Sequence, residues 1–235
     1  MPPRINSILK ISLLNAGGLT AMSIILRMTF MKYMTAAQAV QLINSGDSIY
    51  IQGSTSIPEV LSQALADRGG ELKDVTVYAA FAVGRCEAPY CRPEYKDAFN
   101  VKSLFVANNI RRWLADGYGT TIPAFLGEIP ALFRDGTLPL DAVFLNVSQP
   151  NEEGYCSFGI SADLAVSAVE CARKIIVQVN KAMPFSYGDA LIHVSRIDAA
   201  VEVDDPLVEV PTATPSEIDT AIGRHIAEMI PDGAT

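Results

Sequence analysis

Two apolar runs of strand length, Ala142 to Val147 and Lys174 to Val179, flank a helix-forming stretch from Ser161 to Ala172. This arrangement constrains the fold more than any other feature of the chain. Near-continuous apolar strands are buried on both faces, and two such strands joined by a helix form a parallel β-α-β unit with a right-handed crossover. Ser48–Ile51, Val75–Tyr78, Ser103–Val106 and Ala199–Val203 read as further strands. Between them, Thr35 caps a helix through Ile43, Pro58 opens one through Leu65, and shorter helices are expected at 111–115 and 129–133. Ser161 stands where the N-cap of the 161–172 helix belongs. The sum is an α/β domain with an open, mostly parallel sheet flanked by helices over about residues 35–210. Pro206, Pro211 and Pro215 then mark a linker, and a capped helix from Ser216 to Met229 reads as the first element of a further domain, 211–235.

Residues 1–34 differ in kind. They hold Arg4, Lys10, Arg27 and Lys32 and no acidic residue, and Asn15, Gly17, Gly18 and Arg27 interrupt their apolar content. This falls short of the ~20 apolar residues of a spanning helix. An over-extended start with translation from Met28, Met31 or Met34, an organelle transit peptide and a secretory signal all fit in decreasing order. Each leaves this extension outside the ordered fold.

The net charge of -8 argues against nucleic acid, since the densest basic pair is Arg111-Arg112. Four cysteines (Cys86, Cys91, Cys156 and Cys171) have no zinc-ligand spacing and read as reduced thiols of a cytoplasmic protein, with a mitochondrial location if the extension is a transit peptide. With only His193 and His225, a histidine metal site or a Ser-His-Asp triad has little to start from. Asp189, His193 and Ser195 share one short stretch, whereas triad members converge from separate elements. No metal and no membrane partner is expected.

One anion seat is plausible. Gly53-Ser54-Thr55-Ser56, between a strand and the Pro58 helix, offers backbone N–H groups, hydroxyls and a helix N-terminus. It matches neither a P-loop nor the dinucleotide fingerprint. Asn109 and Arg111 open another helix, where Arg111 could grip a carboxylate or phosphate. Glu87, Glu128, Glu152 and Glu153 are loop carboxylates that no spacing pairs.

Longer strings carry more. Val147-Ser148-Gln149-Pro150-Asn151-Glu152-Glu153-Gly154-Tyr155-Cys156-Ser157-Phe158-Gly159 and Val179-Asn180-Lys181-Ala182-Met183-Pro184 are the strongest. Together with Glu128-Ile129-Pro130 and the tail from Ala221 to Thr235, they resemble the acetyl-CoA hydrolase/transferase family, which includes 4-hydroxybutyrate and butyrate:acetate CoA-transferases. The resemblance spans about residues 35–235. It implies the N-terminal half of a CoA-transferase, of the fold shared with ribose-phosphate isomerase, with the active site between two halves. It also implies that Gly53–Ser56, with Asn109 and Arg111 nearby, lines the substrate side.

The glutamate nucleophile of such enzymes belongs to the second half, expected beyond Thr235, so no catalytic residue is assigned here. Coenzyme A is then a substrate rather than a resident cofactor. The partners are an acyl-CoA, a small carboxylate and the C-terminal half, in cis or in trans, within a homo-oligomer. The rival readings are a non-catalytic binding module completed by a separate chain and, on the same fold, sugar-phosphate isomerisation.

Overall fold

A computed structural model describes residues 31–83, 88–209 and 213–235. The expectations placed on residues 1–30, and on Cys86, Glu87 and Pro211, fall outside these residues. Seven parallel strands form one sheet: β1 (Ser48–Ile51), β2 (Val75–Ala79), β3 (Phe99–Ser103), β4 (Thr120–Thr121), β5 (Ala142–Val147), β7 (Lys174–Asn180) and β9 (Ala199–Val203). Their order is β4-β3-β2-β1-β5-β7-β9. A separate antiparallel ribbon joins β6 (Tyr155–Ser157) to β8 (Leu191–His193).

Strand alternation sets the two cores. Ala142 and Phe144 of β5 face the same side as Ile49, Ile51, Ile176 and Val201. That side is covered by α1 (Ala36–Ala39), α2 (Glu59–Asp67) and α3 (Asn108–Ala115), through Ala39, Leu61, Leu65 and Ile110. Val143, Leu145 and Val147 face the opposite side, against α4 (Ile129–Arg134) and α5 (Ala165–Cys171). All six residues of β5 are buried, as expected for a central parallel strand.

Several expectations move. The third strand runs over Phe99–Ser103 rather than 103–106, because Phe99, Val101 and Ser103 are the buried set in register with Val75, Val77 and Ala79. The polar Asn100 and Lys102 between them made this stretch read as loop. The 161–172 helix starts late, at Ala165. Its N-cap position is taken by Leu164 in helical geometry, while the Ser161 hydroxyl donates to Asp163 Oδ2 at 3.2 Å instead of capping. Thr35 does cap its helix, in a box with Gln38, but that helix tightens into a 3-10 turn at Val40–Leu42. Finally, the ordered fold begins before residue 35. Met34 N donates to Ala200 O and Ala200 N to Lys32 O, so residues 32–34 cover the β9 edge. Pairing an otherwise open edge is a common protection against unwanted strand addition.

The last helix, α6 (Glu217–Glu228), is capped by Ser216 in a box with Asp219. Ile218, Ile222 and Ile226 stand four residues apart, hence on one helix face, and are 72%, 52% and 55% exposed. No helix among the described residues is long and apolar enough to cross a membrane.

Candidate functional site at the reversal of strand order

Successive strands step outward in one direction from β1 to β4 and in the other from β5 to β9, so the order reverses between β1 and β5. Helices diverge there, and open α/β sheets bind ligands in the crevice outside the carboxyl ends of the strands at that point. In this chain Gln52 and the Gly53–Ser56 turn follow the carboxyl end of β1 at that point.

Gln52, 1% exposed, ties the two strands together. Its Nε2 donates to Ser161 O at 2.6 Å, and its Oε1 accepts from Asn146 N at 2.7 Å. The turn itself is tightly determined. A Cβ on Gly53 would collide with the Phe81 carbonyl oxygen. That same oxygen accepts from Ser54 N, and Val83 N donates to Ser54 O at 2.9 Å. Ser54 sits at φ 58, in the left-handed region that costs a non-glycine residue about 1–2 kcal/mol. Ser56 Oγ is buried without a partner among the described residues.

Two cavities flank the turn. Ser54 lines one of about 480 Å³ together with Phe81, Phe105, Phe125, Leu126 and Asp163. Its rim is apolar and open: Phe81 and Phe105 stack edge to face at 5.3 Å and are 43% and 55% exposed, and Phe125 is 80% exposed. Below it, the buried Tyr50 hydroxyl donates to Asp163 Oδ1 at 3.4 Å. Burial first, and the Asp163 carboxylate second, push the Tyr50 phenol well above its usual range.

Thr55 lines the other cavity, of about 550 Å³, with Asn146, Gln178 and Asn180 from β5 and β7. Asn146 Oδ1 is buried without a hydrogen-bond partner among the described residues, a condition that costs about 1–3 kcal/mol. Asn180 makes three hydrogen bonds. It accepts from Ala182 N and Asp205 N and donates to Asp205 O, which pins the 205–208 segment as a wall.

The expected site residues are therefore distributed unevenly. Ser54 and Thr55 line opposite cavities, while Gly53 and Ser56 shape the turn between them. At the following helix end the seat for an anion is partly filled, since Val60 N donates to Gln178 Oε1 and Glu59 N to Ile57 O. Asn109 and Arg111 lie on α3 beyond β3 and line neither cavity; Arg111 Nη2 reaches Val106 O at 3.5 Å. His193 Nδ1 pairs with Ser195 Oγ at 2.8 Å on the ribbon, without Asp189. Sequence reasoning missed Gln52, Asn146 and Gln178. The available signal was polar residues at the carboxyl ends of otherwise apolar strands. Among the described residues no cluster of three or more His, Cys, Asp or Glu side chains is placed to hold a metal.

A doubly covered parallel sheet with paired cavities at its reversal point is the architecture of a ligand-binding α/β domain. Residues 27–212 match the acetyl-CoA hydrolase/transferase N-terminal domain, and the chain belongs to that family. It is 35% identical over 204 residues to the 4-hydroxybutyrate coenzyme A transferase of Clostridium kluyveri, covering 87% of this chain and 47% of that protein. The crystal structure of RipA from Yersinia pestis superposes with a TM-score of 0.80 at 31% identity, over 91% of this chain and 51% of that one. A 4-hydroxybutyrate CoA-transferase structure from Porphyromonas gingivalis gives 0.71 at 33% identity, over 87% and 47%. The chain thus spans about half the length of the relatives it matches.

Proposed function

We propose that this chain forms one wall of a CoA-transferase active site that exchanges CoA between an acyl-CoA, such as acetyl-CoA, and a short-chain carboxylate. The observation that carries this reading is the site's position. The crevice at the β1/β5 reversal lies within a domain whose relatives are CoA-transferases about twice as long. In this reading the apolar cavity beside Ser54 receives the acyl group, and the Gly53–Ser56 turn lies against the reacting end. Asn109 and Arg111 stand farther out, past β3.

The nucleophile is a glutamate of the second half. Its carboxylate attacks the thioester carbonyl, the C–S bond breaks, and CoA thiolate leaves an acyl-glutamyl anhydride. The thiolate then attacks the glutamyl carbonyl, releasing the first carboxylate and leaving a glutamyl-CoA thioester. An incoming carboxylate runs the steps in reverse. Covalent catalysis divides one difficult exchange into easier ones. Coenzyme A is consumed and returned as substrate.

The exposed isoleucine stripe of α6 favours completion by further polypeptide, in cis or in trans. The test is exchange of labelled acetate into acetyl-CoA by this chain alone and after mixing with the C-terminal half of the Clostridium kluyveri relative. Exchange is expected only in the mixture; exchange by the chain alone would overturn the reading.

A further inference from the structure

Strand β3 departs from the pattern of the sheet around it. Parallel strands are usually covered on both faces. On the side of α1, α2 and α3, β3 buries Phe99 and Val101. The alternate positions carry Asn100, which is exposed, and Lys102, which is half-buried. In the parallel register Thr76 of β2 stands beside Asn100, and Tyr78 beside Lys102. The Lys102 ammonium lies 6.0 Å from the centre of the Tyr78 ring. Thr76, Asn100 and Lys102 line a cavity of about 320 Å³ together with Lys96, Tyr118 and Thr120. It shares no lining residue with either cavity at the reversal point. Its outer wall is tightly placed. Gly117, at φ 85, turns the chain from α3 towards β4. A Cβ on Gly119 would stand 2.9 Å from Leu114 Cδ2 and 3.1 Å from Val101 O, so this segment runs flush against β3.

The charge of the cavity runs against that of the chain. Acidic residues outnumber basic ones 26 to 18, yet two lysines and no Asp or Glu line this cavity. None of the lining residues adjoins a residue outside the described stretches. Lys174 and Lys181 each hold a carboxylate at 3.0 Å, whereas Lys96 and Lys102 have none among the described residues. Two cations sharing one small volume, with hydroxyls and an amide beside them, call for an anion. The donors indicate its kind. Two-point recognition of a planar carboxylate suits arginine, and no arginine lines the cavity; lysine binds phosphate as a point charge. A phosphate monoester carries about −1.5 to −2 at pH 7, which two ammonium groups balance. The volume lies at the low end of the about 300–1,000 Å³ usual for small-molecule sites, which suits a small ester rather than a nucleotide coenzyme.

We propose that the cavity over β2, β3 and β4 is a second binding site, taking the phosphate group of inorganic phosphate or of a small phosphate ester between Lys96 and Lys102. It is separate from the crevice and does not depend on the function proposed above.

The test is amide NMR of the isotope-labelled chain at constant ionic strength, titrated in turn with inorganic phosphate, glycerol 3-phosphate, acetate and CoA. The two phosphates are expected to move the backbone signals of Asn100, Lys102, Gly119 and Thr120 saturably, with a dissociation constant below about 1 mM, and to leave Gly53 and Thr55 in place. Tighter binding of either one assigns the source of the phosphate group. Lys96→Met and Lys102→Met are each expected to weaken phosphate at least fivefold without lowering the melting temperature. Lys181→Met removes the same charge elsewhere and should leave the affinity unchanged. Acetate binding as tightly as phosphate would overturn the site. So would shifts that do not saturate, or lysine variants that bind like Lys181→Met. Tighter binding of CoA than of phosphate at these four amides would assign the cavity to the substrate's nucleotide end and overturn it as a second site. Loss of CoA exchange in the reconstituted enzyme would remove the functional reading without touching this result.

Discussion

Replacing Gln52 by leucine should unlock the two strands between which the crevice forms. Leucine keeps the approximate shape of the side chain but removes both hydrogen bonds, leaving Asn146 N–H and Ser161 C=O without their partner. The buried Asn146 N–H then costs about 1–3 kcal/mol, and the partly buried Ser161 C=O, which water can reach, less, so the loss is about 1–4 kcal/mol. That is a large share of the about 5–15 kcal/mol by which domains are usually stable. Gln63→Ala is the control. Gln63 is exposed, bonded among the described residues only to Asp67 one helical turn away, and should change stability by no more than about 0.5 kcal/mol. Urea unfolding read by far-ultraviolet circular dichroism measures both, and the fluorescence of the single tryptophan, Trp113, gives an independent probe. Should Gln52→Leu unfold within about 1 kcal/mol of the parent, the reasoning about β1 and β5 is wrong.

Gly53→Ala drives a methyl group into the Phe81 carbonyl and displaces the turn; thermal melting should show a loss of about 1–3 kcal/mol. Burial pushes the Cys156 thiol up to about 12. The folded chain therefore holds a proton that the unfolded chain releases near pH 9. This contribution is complete below pH 9 and fades as pH rises toward 12, at no more than about 1.4 kcal/mol per pH unit. Unfolding of Cys156→Ala should depend less steeply on pH above 9 than that of the parent; equal slopes would refute the assignment. Ile222→Asp alters an exposed position and should leave the chain's own stability within about 0.5 kcal/mol, yet weaken co-purification with a C-terminal half. Undiminished co-purification would show that the α6 stripe is not the contact.

The fold was legible where side-chain pattern and burial coincide. Ala142–Val147 and Lys174–Val179 stand out because strands buried on both faces carry few polar residues, and Ser216 announced its helix by the reciprocal bond with Asp219. Phe99–Ser103 escaped because its outward residues are polar, which makes a sheet strand look like loop until its register with β2 is known. The ribbon of β6 and β8 escaped for another reason. Its two three-residue strands are held by pairing across more than thirty residues of chain, which no local window can see. Within the site, the Gly53–Ser56 turn was visible as a glycine followed by hydroxyls. The roles of Asn146 and Gln178 depend on which face of the sheet they occupy and on what lies opposite. An amide in an apolar strand reads the same whether it is satisfied or waiting for a ligand.

The central claim is that this chain shapes the cleft while the attacking carboxylate comes from the other half. Mass spectrometry locates that carboxylate directly. The reconstituted pair is incubated with acetyl-CoA, the covalent CoA adduct is stabilised and digested, and the modified peptide is identified. The account places the CoA adduct on a glutamate of the C-terminal half and none on residues of this chain. A CoA thioester on a glutamate of the present sequence would contradict it.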